Sequence, residues 1–112
     1  MNGVNRVVVT GLGAVSPVGH SAAAYWSSLL KGVCGIGTIT LVPADQLLQK
    51  IVAEVKGFDP QAHFNDRQIV TLDRVSQFAV VAAREAIASA AITFDERLSE
   101  QTATIMGSVY ER

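Results

Sequence analysis

An α/β fold is predicted by three features of this sequence. Val7-Val8-Val9-Thr10 is a β-branched run closed by Gly11 and Gly13, Ile51 to Val55 alternates in the manner of a strand, and an apolar helical pattern extends from Asp73 to Ala91. Thr102 to Gly107 then reads as a further strand entering a turn, so strands and helices alternate along the chain.

The first strand is expected over residues 6–12, buried on both faces because the run is continuously β-branched. Gly11, Gly13, Ser16, Pro17 and Gly19 make a turn-rich segment, and Ser21 is the N-cap of a helix through about Lys31, with Gly32 as its stop. Tyr25, Leu29 and Leu30 recur on one side of that helix. Residues 33–40 carry Gly35 and Gly37 without a sustained period and read as a loop, and Pro43 begins a short helical turn through Leu48. A strand is expected over residues 51–56, ending at Gly57, and Phe58-Asp59-Pro60 breaks regular structure.

The long helix is expected over residues 73–91. Val75, Phe78, Ala79, Ala82, Ala86 and Ala90 mark one face, and Val80, Val81, Ala83, Ile87 and Ala88 make the other sides apolar as well. A helix apolar most of the way round belongs inside a larger body, so several side chains of the Val80, Val81, Ile87 group are expected to lack cover. Its alanines permit a neighbouring backbone to come close. The last strand is expected over residues 102–107, and a chain that stops just after it reads as truncated.

The 112 residues carry 9 Lys and Arg against 10 Asp and Glu, a formal charge of -1 that offers no field for nucleic acid or anionic lipid. Charged residues make up 17%, against roughly 25% in soluble domains, so little polar surface is encoded. The lone Cys34 cannot form an internal disulfide and fits a reducing cytoplasm. No targeting or membrane-spanning segment is visible in the sequence.

Gly11-Leu12-Gly13-Ala14-Val15-Ser16 follows a strand and precedes a helix, the setting of a dinucleotide-binding turn. Ser16 replaces the third glycine, Pro17 follows directly, and Asp45 lies well beyond the spacing of about twenty at which a ribose-binding carboxylate is wanted. The glycines are therefore read as structural. Cys34 has neither His20 nor His63 beside it in sequence to lower its pKa, and is read as a small packing residue. Two histidines without a spaced carboxylate or second thiol make no metal site. Asp73 suits the positive start of the long helix as a cap, with Arg74, Arg84 and Glu85 also on that helix; no carboxylate pair is arranged for acid and base work.

The string from Val7 to Gly13, continued by Ala14-Val15-Ser16-Pro17-Val18-Gly19, resembles the opening of the type II β-ketoacyl-acyl-carrier-protein synthases. Trp26, Leu29, Leu30 and Gly32 resemble the family's first helix and its end, and Gly35-Ile36 its Ser-Gly-Ile turn, with Cys34 where serine is usual. Lys56, Phe58 and Asp59 resemble the Val-Lys-x-Phe-Asp segment, and Asp73-Arg74, Gln77-Phe78-Ala79, Ala82-Ala83 and Glu85-Ala86 the long helix. Ile105-Met106-Gly107-Ser108 is similar to the strand that ends in Gly-Ser. The likeness covers residues 4–108, and its motifs follow in the family's order.

The resemblance implies a thiolase-like fold of stacked α/β layers, of which residues 1–112 would be an incomplete amino-terminal part. It implies decarboxylative Claisen condensation of an acyl group with malonyl-acyl-carrier protein in fatty acid biosynthesis, with acyl-carrier protein as partner, a homodimeric parent, and no metal or nucleotide cofactor. The family's nucleophilic cysteine lies in a Thr-Ala-Cys-Ser-type turn and its histidines in His-Gly-Thr and Gly-His-x-x-Gly-Ala motifs, with an assisting lysine before the second. None of these strings occurs here, so no catalytic, cofactor-binding or metal residue is assigned, and Cys34, His20 and His63 are not promoted to those roles. The chain alone is expected to be inactive. Residues 109–112 depart from the family's glycine-rich turn: either Tyr110 takes the position that gates the acyl pocket or Val109-Tyr110-Glu111-Arg112 is a junction. The rival readings are a non-catalytic synthase-like interaction or scaffold module and a nucleotide-binding α/β domain.

Overall fold

The computed structural model describes residues 3–109. In chain order it contains α1 (Ala22–Leu30), β1 (Ile36–Thr38), β2 (Ile51–Ala53), a 3-10 turn (Pro60–Ala62), α2 (Asp66–Thr71), α3 (Arg74–Ala90) and α4 (Glu96–Glu100). Residues 110–112, and with them the question of Tyr110 as a gate, lie outside the described residues.

The helix ends follow from the capping chemistry of the sequence. Ser21 Oγ accepts from Ala24 N at 3.1 Å to open α1, and Gly32 closes it in the left-handed region at φ 66°. Asp73 caps α3 by accepting from Ser76 N at 2.7 Å. Three further elements were not expected. Asp59 accepts from Gln61 N at 3.0 Å, so the segment read as a break starts a helical turn. Asn65 and Gln68 form a capping box, with bonds of 2.9 and 3.2 Å, that starts α2. Asp95, bonded to Leu98 N at 2.7 Å, starts α4.

The strands correct the expectation in several places. Residues 33–40 are not all loop, because β1 pairs antiparallel with β2 in the register Ile36↔Ala53, Gly37↔Val52, Thr38↔Ile51. The strand expected over 51–56 is limited to Ile51–Ala53, since the ladder with β1 ends at the Ile36↔Ala53 pair. Residues 6–12 and 102–107 form no ladder among the described residues, and Val7 and Ile105 stand 93% and 94% exposed. A β-branched run makes a strand only beside a neighbour that completes its hydrogen bonds. Pro43 to Leu48 stays irregular apart from one turn, Leu47 N to Ala44 O at 3.2 Å. Leu48 is fully exposed there, and a segment with no buried face has nothing to offset the cost of starting a helix.

Glu54 latches that loop. Its carboxylate accepts from Thr40 N at 2.9 and 3.0 Å, Thr40 Oγ1 at 2.8 Å and Leu41 N at 2.9 Å, with Lys56 Nζ at 3.7 Å. The bond from Leu41 N, joined by those from Thr40 and the nearby Lys56 charge, lowers its pKa from 4.5 to about 2. A folded-state pKa below the unfolded value means that the latch is at full strength above pH 4.5 and weakens as pH falls toward about 2. The Thr40 and Leu41 amide resonances should therefore titrate with a midpoint well under 4.5, and Glu54→Gln should remove that response. A midpoint at the ordinary glutamate value would show that the latch is not formed in solution.

The core is small. Phe58, Phe64 and Val81 are buried, and Val15, Val55, Ile69, Leu72, Phe78 and Val80 pack against them. Of the Val80, Val81, Ile87 group, several of which were expected to lack cover, Val80 packs against the core and Val81 is only 9% exposed because Phe58 and Phe64, from the segment between β2 and α2, lie over it. Ile87, at 40%, does remain exposed. The radius of gyration is 17.6 Å, where a compact chain of this length has about 13 Å. The accessible surface is 9441 Å², against about 5,900 Å² for a folded monomer of this mass.

Candidate functional site

The glycine turn sits against α3. A methyl group on Gly11 would overlap the Ala86 carbonyl oxygen and stand 2.8 Å from Ala90 Cβ; one on Gly13 would overlap the Ala82 carbonyl oxygen and stand 2.9 Å from Ala86 N. Ala82, Ala86 and Ala90, four residues apart, form the small-residue stripe that lets the turn approach the helix backbone. The two glycines thus have a packing reason to be present.

Glu85, beside that stripe, ties the turn down. Its Oε2 accepts from Ala14 N and its Oε1 from Ala22 N, both at 2.9 Å. Within the turn Ser16 and Gly19 pair backbone to backbone, and Ser28 Oγ donates to Val18 O at 2.6 Å. One carboxylate therefore joins α3 to both ends of residues 14–22.

His20 and His63, far apart in sequence, meet on Phe58. The His63 ring stacks on it at 5.4 Å and 14°, and the His20 ring meets it edge-on at 6.1 Å and 71°. Arg84 donates to His63 O at 2.8 Å while its guanidinium lies over Phe64 at 5.2 Å, and Arg74 does the same for Val55 O and Phe78. His20, Ser21, His63, Val81, Arg84 and Glu85 line a hollow of about 360 Å³. Both imidazoles are exposed, as expected, although each also covers a core aromatic. A second hollow of about 530 Å³ separates residues 9–12 from the start of α1, with Glu85 and Ser89 on its wall.

Cys34 is exposed and lines a different hollow of about 180 Å³ with Pro17, Glu54 and Lys56. Neither histidine lines it. Among the described residues no three His, Cys, Asp or Glu side chains are grouped to hold a metal, and no helix is long and apolar enough to cross a membrane. Arg84 and Glu85 are both engaged with backbone groups. The arrangement positions chain segments.

The family model described as the β-ketoacyl synthase N-terminal domain matches residues 4–112. The chain belongs to that family. Two relatives named 3-oxoacyl-[acyl-carrier-protein] synthase 2, from Staphylococcus aureus strain COL and from a Synechocystis species, are each 36% identical over 103 residues. That alignment takes in 92% of this chain and 25% of each relative, so the chain spans about a quarter of their length. A solved structure of the ishigamide ketosynthase/chain length factor superposes with a TM-score of 0.67 at 31% identity, covering 77% of this chain and 21% of that one. Within a β-ketoacyl synthase N-terminal domain the α/β, thiolase-like character expected from the sequence holds, as an incomplete amino-terminal part.

Sequence reasoning missed Glu85. The available signal was a carboxylate set among alanines on a helix that is apolar nearly all round, a placement that needs hydrogen-bond donors from elsewhere in the fold.

Proposed function

We propose that this chain is the opening section of a 3-oxoacyl-acyl-carrier-protein synthase and contributes structural frame rather than reacting groups. The observation that carries the reading is 36% identity over 103 residues to synthases of that name. In the whole enzyme a cysteine thiolate, supplied by sequence beyond this section, would take the acyl group from a carrier-protein thioester. Malonyl-carrier protein would lose carbon dioxide, and the carbanion equivalent so formed would attack the bound acyl carbonyl and release the thiolate. The acyl group would gain two carbons and remain on the carrier protein that delivered the malonyl unit, in fatty acid biosynthesis. The partners are acyl- and malonyl-carrier proteins and a second synthase subunit, in a reducing cytoplasm, with neither nucleic acid nor membrane.

The local geometry supports a framing part: Glu85 and the two arginines are spent on backbone groups, and Cys34 has no histidine in its hollow. Incubation with acyl- and malonyl-carrier proteins, followed by mass spectrometry, should give no 3-oxoacyl product from this chain. The same section carried within a full-length synthase in place of its own should permit condensation. Product formed by the chain alone and abolished by Cys34→Ala would overturn the assignment.

A further inference from the structure

We infer that Glu85 is a positioning residue whose two carboxylate oxygens act as a built-in anion, fixing the glycine turn and the first turn of α1 in one relation to α3. The two amides it serves, Ala14 N and Ala22 N, lie 71 and 63 residues away, and each bond is 2.9 Å. Ala22 opens α1, where amides without intrahelical acceptors favour a negative charge. Ser21 Oγ is occupied by Ala24 N, so the N-cap does not serve Ala22. The neighbours Ala82 and Ala86 offer only methyl groups and helix backbone to the turn. Packing alone would bring the segments together with two partly buried N–H groups left without acceptors, and the carboxylate removes that cost while fixing their relative position. A glutamine has one acceptor oxygen and can serve one amide; an alanine serves neither.

Amide hydrogen exchange of the chain reads this tie at Ala14 and Ala22. In Glu85→Ala both amides should lose about ten- to hundredfold of their protection, while Ser76 and Leu98, capped by Asp73 and Asp95, keep theirs. Sodium formate, small enough for the vacated position, should restore protection in Glu85→Ala and not in Glu85→Leu, whose side chain fills the space. Glu85→Gln should retain one protected amide, which keeps the test decisive where the alanine variant does not fold. Wild-type protection in Glu85→Ala, no formate effect on it, an equal formate effect on Glu85→Leu, or two amides kept or lost together in Glu85→Gln would each overturn the role.

Discussion

Gly13→Val should unseat the glycine turn from α3 at a local cost of about 3 kcal/mol, the upper end of the usual range for overpacking. The size of the effect follows from what the new side chain would meet. Its Cβ alone would overlap the Ala82 carbonyl oxygen and crowd Ala86 N, and both belong to the backbone of α3. A flexible side chain could swing aside, whereas a helix backbone can yield only by breaking its own hydrogen bonds or pushing the turn away. Displacing the turn would also draw Ala14 N off Glu85, so the damage would extend to the start of α1. Gly37→Ala provides the control, because nothing lies within 4 Å of its added methyl group; its effect should be near zero. The urea concentration that halves the far-ultraviolet helix signal should fall in the Gly13 variant and stay unchanged in the Gly37 variant. Equal values for Gly13→Val and wild type would show that the close approach does not exist in solution.

The isolated chain should bind ANS, sediment as a concentration-dependent mixture and melt over a broad range. Its accessible surface of 9441 Å² exceeds by about 3,500 Å² what a compact monomer of its mass exposes. Much of the excess is apolar: Val7 is 93% exposed, Val9 79%, Val8 and Leu12 65% each, and Ile105 94%. Burying one such side chain contributes about 1.5 to 3 kcal/mol, so cover for several of them is comparable to the whole stability of a domain, about 5 to 15 kcal/mol. Val7, Val8, Val9 and Leu12 fall on one segment, where an apolar patch larger than monomers usually tolerate is expected. Replacing Val7 and Val9 by lysine should reduce both dye binding and self-association, which would place the patch on this segment. A monodisperse monomer with a sharp cooperative melt and no dye binding would refute the expectation.

Local chemistry was the legible part of this sequence. Ser21, Gly32 and Asp73 set helix limits within a residue or two of those expected, because a cap needs only its own side chain and the next few amides. The alanine stripe announced a close backbone neighbour, and the glycines of the turn proved to be that neighbour. The family, too, was readable from motifs in order along residues 4–108, and the match over 4–112 agrees.

Only the tertiary structure decided which pairings those segments find. Residues 6–12 carry every local mark of a strand, yet a strand is a property of two segments, and no described neighbour offers them a ladder. Ile36–Thr38 has β-branched residues interrupted by Gly37, without a sustained period, and is a strand because β2 lies beside it. The meeting of His20 and His63 on Phe58, and the reach of Glu85 across 71 and 63 residues to two amides, depend on how α3 lies under the glycine turn. Capping and periodicity act over a few residues and can be read from the chain, whereas pairing and long-range hydrogen bonds depend on the spatial arrangement of distant segments, which the linear sequence does not display.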